Sequence, residues 1–308
     1  MRVALLFIDG VGIGARKPEI NPLARERFLL SQFQDGTGEP LGSGHLHAVD
    51  ATFAVPGRPQ SASNQTAIFT GEPAPRLIGR HVLGFPDPKL RQILRDRSIV
   101  KRLAEAGRSS EFANCYPAAY LDALGLRRHA SSAPDVAIPA AAARALKPSA
   151  TTLAMAAADI PLRTFDDARR GEGLTSDIEG HRARARGFDV PVRTAQEAAE
   201  IFLRLSAAHD FTFFEHYLAD KAGHAKDWSK AQETLSAFDR FVRAVVERKP
   251  EDLEILICSD HGNVEDLSSR THTLNPVPVL HFGSARLPPL NNVADVGLCV
   301  LGLLGVPS

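Results

Sequence analysis

The sequence predicts an α/β fold in which helices flank a mostly parallel central sheet. Continuous apolar runs indicate buried strands, because a parallel strand covered on both faces shows no alternation of polar and apolar residues. Such runs occupy residues 2–8, 211–218 and 253–260, with a weaker one at 110–116. Helical periodicity lies between them, and strands that alternate with helices favour a parallel sheet.

Each predicted helix has its own signal. Residues 89–107 carry apolar side chains at helical spacing and end in Gly107, a residue typical of helix C-termini. Residues 194–209 begin with Thr194, which can cap a helix, and have an acidic first turn. Residues 229–249 show the same apolar spacing and predict a third helix.

Composition and charge exclude several classes of protein. Lys+Arg and Asp+Glu number 36 each, so the formal net charge is zero. The chain therefore lacks the excess of basic residues that is typical of nucleic-acid-binding proteins. The apolar segments near both ends are too short for a membrane span. Cys115, Cys258 and Cys299 are far apart, which indicates a reduced compartment. We expect a soluble cytoplasmic protein with no nucleic-acid or membrane partner; its oligomeric state stays open.

Three aspartates follow apolar strands. Asp9, Asp220 and Asp260 each come just after a predicted strand or near its exit. In an open α/β sheet the chemistry lies at the carboxyl ends of the strands, although an aspartate there can also serve only as a helix cap or turn former. Three such positions in one chain favour a functional site.

Histidines accompany these aspartates. His224 follows Asp220 by four residues and would share its helix face, His261 is next to Asp260, and His272 lies eleven residues further on. Mixed carboxylate and imidazole ligands suit Zn²⁺ or Mn²⁺. The pattern therefore predicts a metal site.

A second polar segment, SASNQTAIFTG, occupies residues 61–71. Its hydroxyl and amide residues can simply cap a helix that ends at Gly71. Alternatively, one hydroxyl is a nucleophile at the helix N-terminus, where backbone N–H groups favour an anion. The segment alone leaves both interpretations open.

Five ordered segments resemble one family: FIDG, QSASNQTAIFTG, DKAGH, SDHGN and THTLNPVPVL. They are similar to motifs of the alkaline phosphatase superfamily of metalloenzymes, most closely the branch of cofactor-independent phosphoglycerate mutase and phosphopentomutase. The resemblance implies two divalent metal ions, Mn²⁺ or Zn²⁺. One ion would be bound by Asp220, His224 and His272. The other would be bound by Asp9, Asp260, His261 and the oxygen of the nucleophile.

The resemblance also implies the identity of the nucleophile. In this family it lies ten residues before the glycine that ends the short helix, which gives Ser61 here, with Ser63 as a neighbour to exclude. Asn64 would contact a phosphoryl oxygen, as an asparagine does in the phosphodiesterase branch. A metal-bound serine hydroxyl is a stronger nucleophile than a free one, so this set of residues suits phosphoryl transfer.

The region from 121 to 192 interrupts the strand–helix rhythm and is rich in Ala, Arg and Pro. We expect it to form an inserted cap that selects the substrate, while residues 1–120 and 193–308 form the metal-binding catalytic core. Arginine suits phosphate and carboxylate groups, so Arg80, His81, Arg169 and Arg170 are candidate substrate contacts.

The expected function is a two-metal phosphomonoesterase that acts on a small phosphorylated metabolite through phosphorylated Ser61. The insertion is too short for a full mutase domain, which favours hydrolysis. A phosphomutase, a phosphodiesterase and a non-catalytic metal-binding protein are the alternatives. The sulfatase branch is disfavoured, because Ser61 is not followed by the Pro and Arg of that branch.

Overall fold

The computed structural model describes residues 1–126 and 146–307. The strands are β1 (Arg2–Ile8), β2 (His45–Val49), β3 (Ser110–Phe112), β4 (Cys115–Tyr116), β5 (Arg163–Thr164), β6 (Phe211–His216), β7 (Leu253–Cys258) and β8 (Val277–Phe282). Six of them form the main sheet, in the order β2-β8-β7-β1-β6-β3, and β4 pairs with β5 in a small separate sheet.

The main sheet is mostly parallel, as predicted. Strand β1 lies between β6 and β7 and is parallel to both, and β3 is parallel to β6. Strand β8 runs antiparallel to β7 and to β2. The carboxyl ends of β7, β1 and β6 therefore meet at one edge of the sheet, side by side.

Helices flank the sheet. They are α1 (Ser61–Thr70), α2 (Ala74–Ile78), α3 (Pro88–Arg97), α4 (Ile99–Glu105), α5 (Ala118–Ala123), α6 (Ala150–Ala156), α7 (Phe165–Arg169), α8 (His181–Ala185), α9 (Ala195–Ala208), α10 (Leu218–Ala225), α11 (Trp228–Arg248) and α12 (Ala294–Leu303). A short 3₁₀ turn spans Pro22–Ala24.

Strand β1 shows how the two faces of the sheet are covered. Val3, Leu5 and Phe7 pack with α1, α3, α4, α6 and α12, whereas alternate residues pack with α9 and α11 on the other face. Because every residue of β1 after Arg2 is buried, its sequence shows no alternation. Burial of each large apolar side chain stabilises the fold by about 1.5–3 kcal/mol, which makes the sheet a rigid support for the loops at its edge.

The predicted helix at 89–107 is in fact two helices. Ser98 ends α3 and caps α4, since its backbone is extended (φ −50°, ψ 129°) and its side chain accepts a hydrogen bond from the N–H of Lys101. The break does not disturb the apolar spacing, because Leu94, Ile99 and Leu103 all face the same core. Periodicity alone therefore could not reveal it.

Two strands of the main sheet, β2 and β8, were not predicted. Strand β8 is buried throughout but contains Pro278, and proline inside a run argues against a strand within a sheet. Strand β2 is short and mostly exposed, as edge strands commonly are. Similarly, the predicted strand at 110–116 divides into β3 and β4, which belong to different sheets.

Part of the stretch predicted as a cap contributes to the core. Ala150, Ala154 and Met155 of α6 are buried with residues of α1 and α3. The segment that follows α6 pairs with residues just after β3: β5 pairs with β4, and Leu174 pairs with Asn114. Residues 127–145, also within the predicted cap, lie outside the described residues. Among the residues described, no helix has both the length and the apolar character needed to cross a bilayer.

Candidate metal centre

Six of the seven side chains predicted as metal ligands, the aspartates and histidines, lie at neighbouring strand ends. Asp9 directly follows β1, and Asp260 and His261 follow β7. Asp220 and His224 belong to α10, which begins just after β6, and His272 lies in the loop that leads into β8. The parallel order β7-β1-β6 brings these segments together although they are far apart in sequence.

Asp220, His224 and His272 form the first group. The Nε2 atoms of the two histidines are 3.1 Å apart, and each lies 3.3 Å from a carboxylate oxygen of Asp220. Asp220 and His224 are one helical turn apart, so α10 itself holds them on one face. Three ligand atoms therefore converge on one point.

Asp9, Asp260 and His261 form the second group, and all three are buried. The Nε2 atom of His261 lies 3.4 Å from Asp9 Oδ1 and 3.4 Å from Asp260 Oδ2. Ser61 Oγ lies 2.9 Å from the same nitrogen. The second group thus has the ligand types that a hard or borderline divalent cation accepts, together with a hydroxyl.

The two groups are in direct contact. The rings of His261 and His272 stack with their centroids 3.7 Å apart and an interplanar angle of 15°. One histidine belongs to each group, so the two candidate sites share a wall. Such closeness is required of two-metal sites that act on one phosphoryl group.

The histidines of the first group are oriented by backbone carbonyls. His272 Nδ1 donates to the carbonyl of Pro59, and His224 Nδ1 donates to that of Arg270, both at 2.7 Å. A carbonyl only accepts, so the proton sits on Nδ1 and the Nε2 lone pair is left for a ligand.

The donor set fits divalent metal ions. Ligands that surround one ion tetrahedrally at roughly 2.0–2.3 Å lie roughly 3.3–3.7 Å from each other, close to the separations found here. Asp9 Oδ1 is buried and accepts no hydrogen bond from residues 1–126 or 146–307. Burial and the nearby carboxylates of Asp260, Asp220 and Glu215 raise the pKa of Asp9. A bound cation would relieve this crowding of acidic groups.

A proton occupies the first group when no cation does. The hydrogen bond to Asp220 raises the pKa of His224 to about 9. Burial alone would raise the pKa of Asp220, but its bonds with His224 and His272 lower it. Binding of a metal ion at neutral pH therefore displaces a proton shared by these side chains.

The structure distinguishes Ser61 from Ser63. Ser61 is the first residue of α1, is partly exposed and faces His261. Ser63 is fully buried, donates to the carbonyl of Gln60 and accepts from the N–H of Val82, both at 3.1 Å. Ser63 therefore holds the loops around the start of α1, and Ser61 is the hydroxyl at the metal groups.

Asn64 is not placed to contact a phosphoryl group. Its side chain is fully buried, and its amide donates to the carbonyls of Ala51 and Asp260, both at 2.8 Å. The amide at the second group is that of Gln65, which lies 3.3 Å from Asp9 Oδ2 and 3.1 Å from Asp260 Oδ2. Gln65 follows Ser61 by four residues, and this helical spacing was the available sequence signal.

Three predicted substrate arginines are engaged elsewhere. Arg80 pairs with Asp87, the residue that caps α3. Arg169 pairs with Asp166 and donates to the carbonyl of Asp189. Arg170 pairs with Asp167 and Glu172.

The structure places Arg170 far from the metal groups. It lines a cavity of about 480 Å³ with Ser110 and His209, at the amino ends of β3 and β6. This is the edge of the sheet opposite to the metal groups. His81, by contrast, adjoins Val82, whose N–H bonds Ser63, and its ring nitrogens form no hydrogen bond with the residues that the structure describes.

A cationic group that the sequence reading missed lies beside α10. Lys221 and Arg182 line a common cavity of about 460 Å³, and Arg182 and Arg186 line a smaller adjoining one with Tyr217. Burial and the charges of Arg182 and Arg186 lower the pKa of Lys221, while Asp9 and Asp220 act in the opposite direction. None of the three cations forms an ion pair with a residue of the described ranges. The run HRARAR at 181–186 was the available signal.

The fold and the two metal groups agree with a comparison to known protein families. Residues 185–305 match the family model described as the Metalloenzyme superfamily. The predicted resemblance to the alkaline phosphatase superfamily is thereby confirmed.

The relatives found are more specific. The chain is 32% identical over 132 residues to the 2,3-bisphosphoglycerate-independent phosphoglycerate mutase of Desulforudis audaxviator (strain MP104C). This match covers 38% of the chain and 25% of that mutase, so the chain spans about a quarter of the relative's length.

Solved structures support the fold. The PH0037 protein from Pyrococcus horikoshii and the alkaline phosphatase from the Antarctic bacterium TAB5 each align with a TM-score of 0.57 and 14% identity. Each alignment covers 100% of this chain, with 97% of the first structure and 99% of the second. At such identity the likeness establishes the fold and leaves the activity open.

Proposed function

We propose that this protein is a two-metal phosphomonoesterase that hydrolyses a small phosphorylated metabolite through phosphorylated Ser61. The observation that carries the proposal is the position of Ser61 Oγ, 2.9 Å from His261 Nε2 and at the first turn of α1. The metal ions, when bound by the two groups, would neutralise the phosphoryl oxygens and lower the pKa of the attacking hydroxyl.

The protein's own residues supply the remaining requirements. Ser61 Oγ attacks phosphorus and the bond from phosphorus to the ester oxygen breaks. The hydroxyl proton that Ser61 loses passes, by way of water, to the leaving alkoxide. Backbone N–H groups at the start of α1 face the added negative charge. Gln65 keeps the carboxylates of Asp9 and Asp260 in fixed orientation. Water then attacks the phosphoserine, which releases phosphate and restores the hydroxyl.

The rest of the substrate would lie towards Lys221, Arg182 and Arg186. These cations line two cavities beside α10 that share Arg182, and they form no ion pair within the described part of the chain. Lys221 Nζ lies 4.2 Å from the centre of the Tyr217 ring. The ring covers one side of the ammonium group, and its other side is available to a further ligand. An anionic group of the substrate suits this position.

A phosphomutase is the second candidate, because the relative with 32% identity is a mutase. In that case phosphorylated Ser61 would return its phosphoryl group to another hydroxyl of the same substrate. A phosphodiesterase was an alternative because Asn64 could contact a phosphoryl oxygen. This alternative is disfavoured, since the amide of Asn64 is bonded to two backbone carbonyls.

A screen of phosphorylated metabolites tests the proposal. The protein is loaded with Mn²⁺ or with Zn²⁺, and both free phosphate and isomerised phosphoesters are followed. Release of phosphate without isomerisation supports the phosphomonoesterase. Isomerisation without release supports the mutase, and the absence of both with every metal would contradict the proposed function.

A further inference from the structure

Glu265 is a buried carboxylate close to the metal groups that has no role in the chemistry described so far. Its side chain is 1% exposed, and no cation of the described ranges forms an ion pair with it. A charge in such a place must be stabilised by hydrogen bonds. The pattern of these bonds indicates what the residue does.

Four donors converge on the Glu265 carboxylate. Oε2 accepts from the backbone N–H groups of Gly12 at 2.9 Å and Asn263 at 2.7 Å. Oε1 accepts from Thr273 Oγ1 at 2.5 Å and from Asn275 Nδ2 at 3.0 Å. Bonds to an ionised acceptor are among the strongest in proteins, so this carboxylate joins its partners firmly.

The donors come from loops that carry metal ligands of both groups. Gly12 follows Asp9 of the second group by three residues, and Thr273 directly follows His272 of the first group. Asn263 follows His261 by two residues, and its amide donates to Asp220 Oδ1 at 2.6 Å. Glu265 therefore connects the two groups through one side chain.

The surrounding backbone is also shaped around Glu265. A Cβ atom at Gly12, Gly14 or Gly262 would lie 2.3, 2.8 or 2.2 Å from an atom of the Glu265 side chain. None of these three glycines has a positive φ, so close approach and not backbone conformation excludes larger residues there. The lack of a side chain at these three glycines thus provides the space that the Glu265 carboxylate occupies.

We propose that Glu265 is a positioning residue that sets the relative placement of the two metal sites. It fixes the loop after Asp9 and the loop after His272 against each other, and so fixes the distance between the two bound ions. The inference rests on the two-metal centre proposed above. It adds that Glu265 fixes the geometry of the metal sites before the second of the two ions binds. Loss of the hydrogen-bond partners that orient metal ligands typically lowers metal affinity about 10–100-fold.

Glu265→Gln is the decisive variant. It keeps the size of the side chain, but its NH₂ group must face either the backbone N–H groups of Gly12 and Asn263 or the Thr273 and Asn275 groups that now donate to Glu265, so the bonds to at least one loop are weakened. Glu254→Gln is the matched control. Glu254 is also 1% exposed and also accepts from backbone N–H groups, those of Ser284 and Ala285, but it lies at the amino end of β7, away from the metal groups.

The experiment measures Mn²⁺ binding to the full chain without any substrate. Calorimetry gives the stepwise affinities, and electron paramagnetic resonance gives the coupling between two bound Mn²⁺ ions, which depends on their separation. We expect Glu265→Gln to weaken binding about 10–100-fold and to reduce or abolish the coupling. We expect Glu254→Gln to keep wild-type affinities and coupling even if it unfolds at a lower temperature.

The outcomes separate the possible failures. Wild-type affinities and coupling in Glu265→Gln would overturn the inference, as would equal losses in both variants, which would indicate general destabilisation. If wild type itself binds neither Mn²⁺ nor Zn²⁺, the two-metal centre fails and the inference falls with it. Should Glu265→Gln not fold, Thr273→Val removes the bond from Thr273 to Glu265 and the bond that Thr273 Oγ1 accepts from the N–H of Asn275, and it leaves the Asn275 amide on Glu265. It should weaken the first site alone, and unchanged affinity in that variant would overturn the inference.

Discussion

Ser61 Oγ and His261 Nε2 lie 2.9 Å apart, although 200 residues separate them in sequence. His261 also stacks on His272, so the serine hydroxyl adjoins both candidate metal groups through one ring. The contact brings the start of α1 to the carboxyl end of β7. This arrangement explains why a hydroxyl residue, Ser61, begins α1 and why an amide, Gln65, follows it one helical turn later.

Removal of the Ser61 hydroxyl should abolish turnover while metal binding persists. Ser61→Ala deletes the proposed covalent acceptor but leaves six of the seven proposed ligands in place. We expect kcat to fall by several orders of magnitude, with Mn²⁺ binding weakened only modestly. Ser63→Ala is the control, because within the described part of the chain Ser63 Oγ bonds Gln60 and Val82 alone. Near-normal turnover in Ser61→Ala would assign the attack to a different group.

The cations beside α10 should determine the affinity for the substrate. Replacement of both Lys221 and Arg182 by alanine should raise KM for an anionic metabolite about 10–100-fold, as expected for loss of charged hydrogen bonds. The same variant should change KM little for a minimal aryl phosphate, which carries no second anion. Arg170→Ala, at the opposite edge of the sheet, is the control. Equal effects on both substrates would show that the cations are structural.

Gly10 should be essential for the first metal site. It has a φ of +79°, and an added Cβ would lie 2.7 Å from the Cβ of Asp220. Gly10→Ala should therefore displace Asp220, destabilise the protein by more than about 2 kcal/mol and weaken the first site. Gly36→Ala provides a comparison, because Gly36 has a φ of +78° but open space around it. Calorimetric unfolding and Mn²⁺ titration of the two variants test this; equal effects would contradict it.

Stability of the metal-free protein should depend on Glu215. Burial raises the pKa of Glu215 to about 7 from its usual 4.5, with a further contribution from Asp260. The folded state therefore favours the neutral acid. This contribution is complete below pH 4.5 and is lost as the pH rises through about 7.

Glu215→Gln stays neutral at every pH, which makes the prediction measurable. Between ~pH 5 and ~pH 8, wild type should lose about 1–3 kcal/mol of stability relative to this variant. Denaturant unfolding at both pH values, with a chelator present, gives the difference. Parallel pH profiles of the two proteins would mean that Glu215 does not titrate in this way.

The sequence predicts the main sheet well where burial is continuous. Strand β1 is predicted with its observed bounds, because residues covered on both faces must all be apolar. Strand β8 escapes notice because Pro278 contradicts local propensity, and tertiary pairing overrides it.

The candidate site also has a part that the sequence predicts and a part that it does not. Ligands at strand ends, such as Asp9 and Asp260, follow from parallel topology and were predicted together. The cations of the proposed substrate side were not predicted, because the position of Arg182 beside α10 depends on how a non-repetitive segment packs against β6. Charge runs usually lie on solvated surfaces, and only the fold distinguishes Arg182 from Arg170.

The central claim is that Ser61 carries the phosphoryl group during turnover. The most direct test is to quench the Mn²⁺-loaded protein with acid during reaction with a substrate from the screen and to analyse its peptides by mass spectrometry. The account predicts one added phosphoryl group on the peptide that contains Ser61, and none in Ser61→Ala. Turnover with an unmodified Ser61 peptide, or a phosphoryl group found on Ser63, would contradict it.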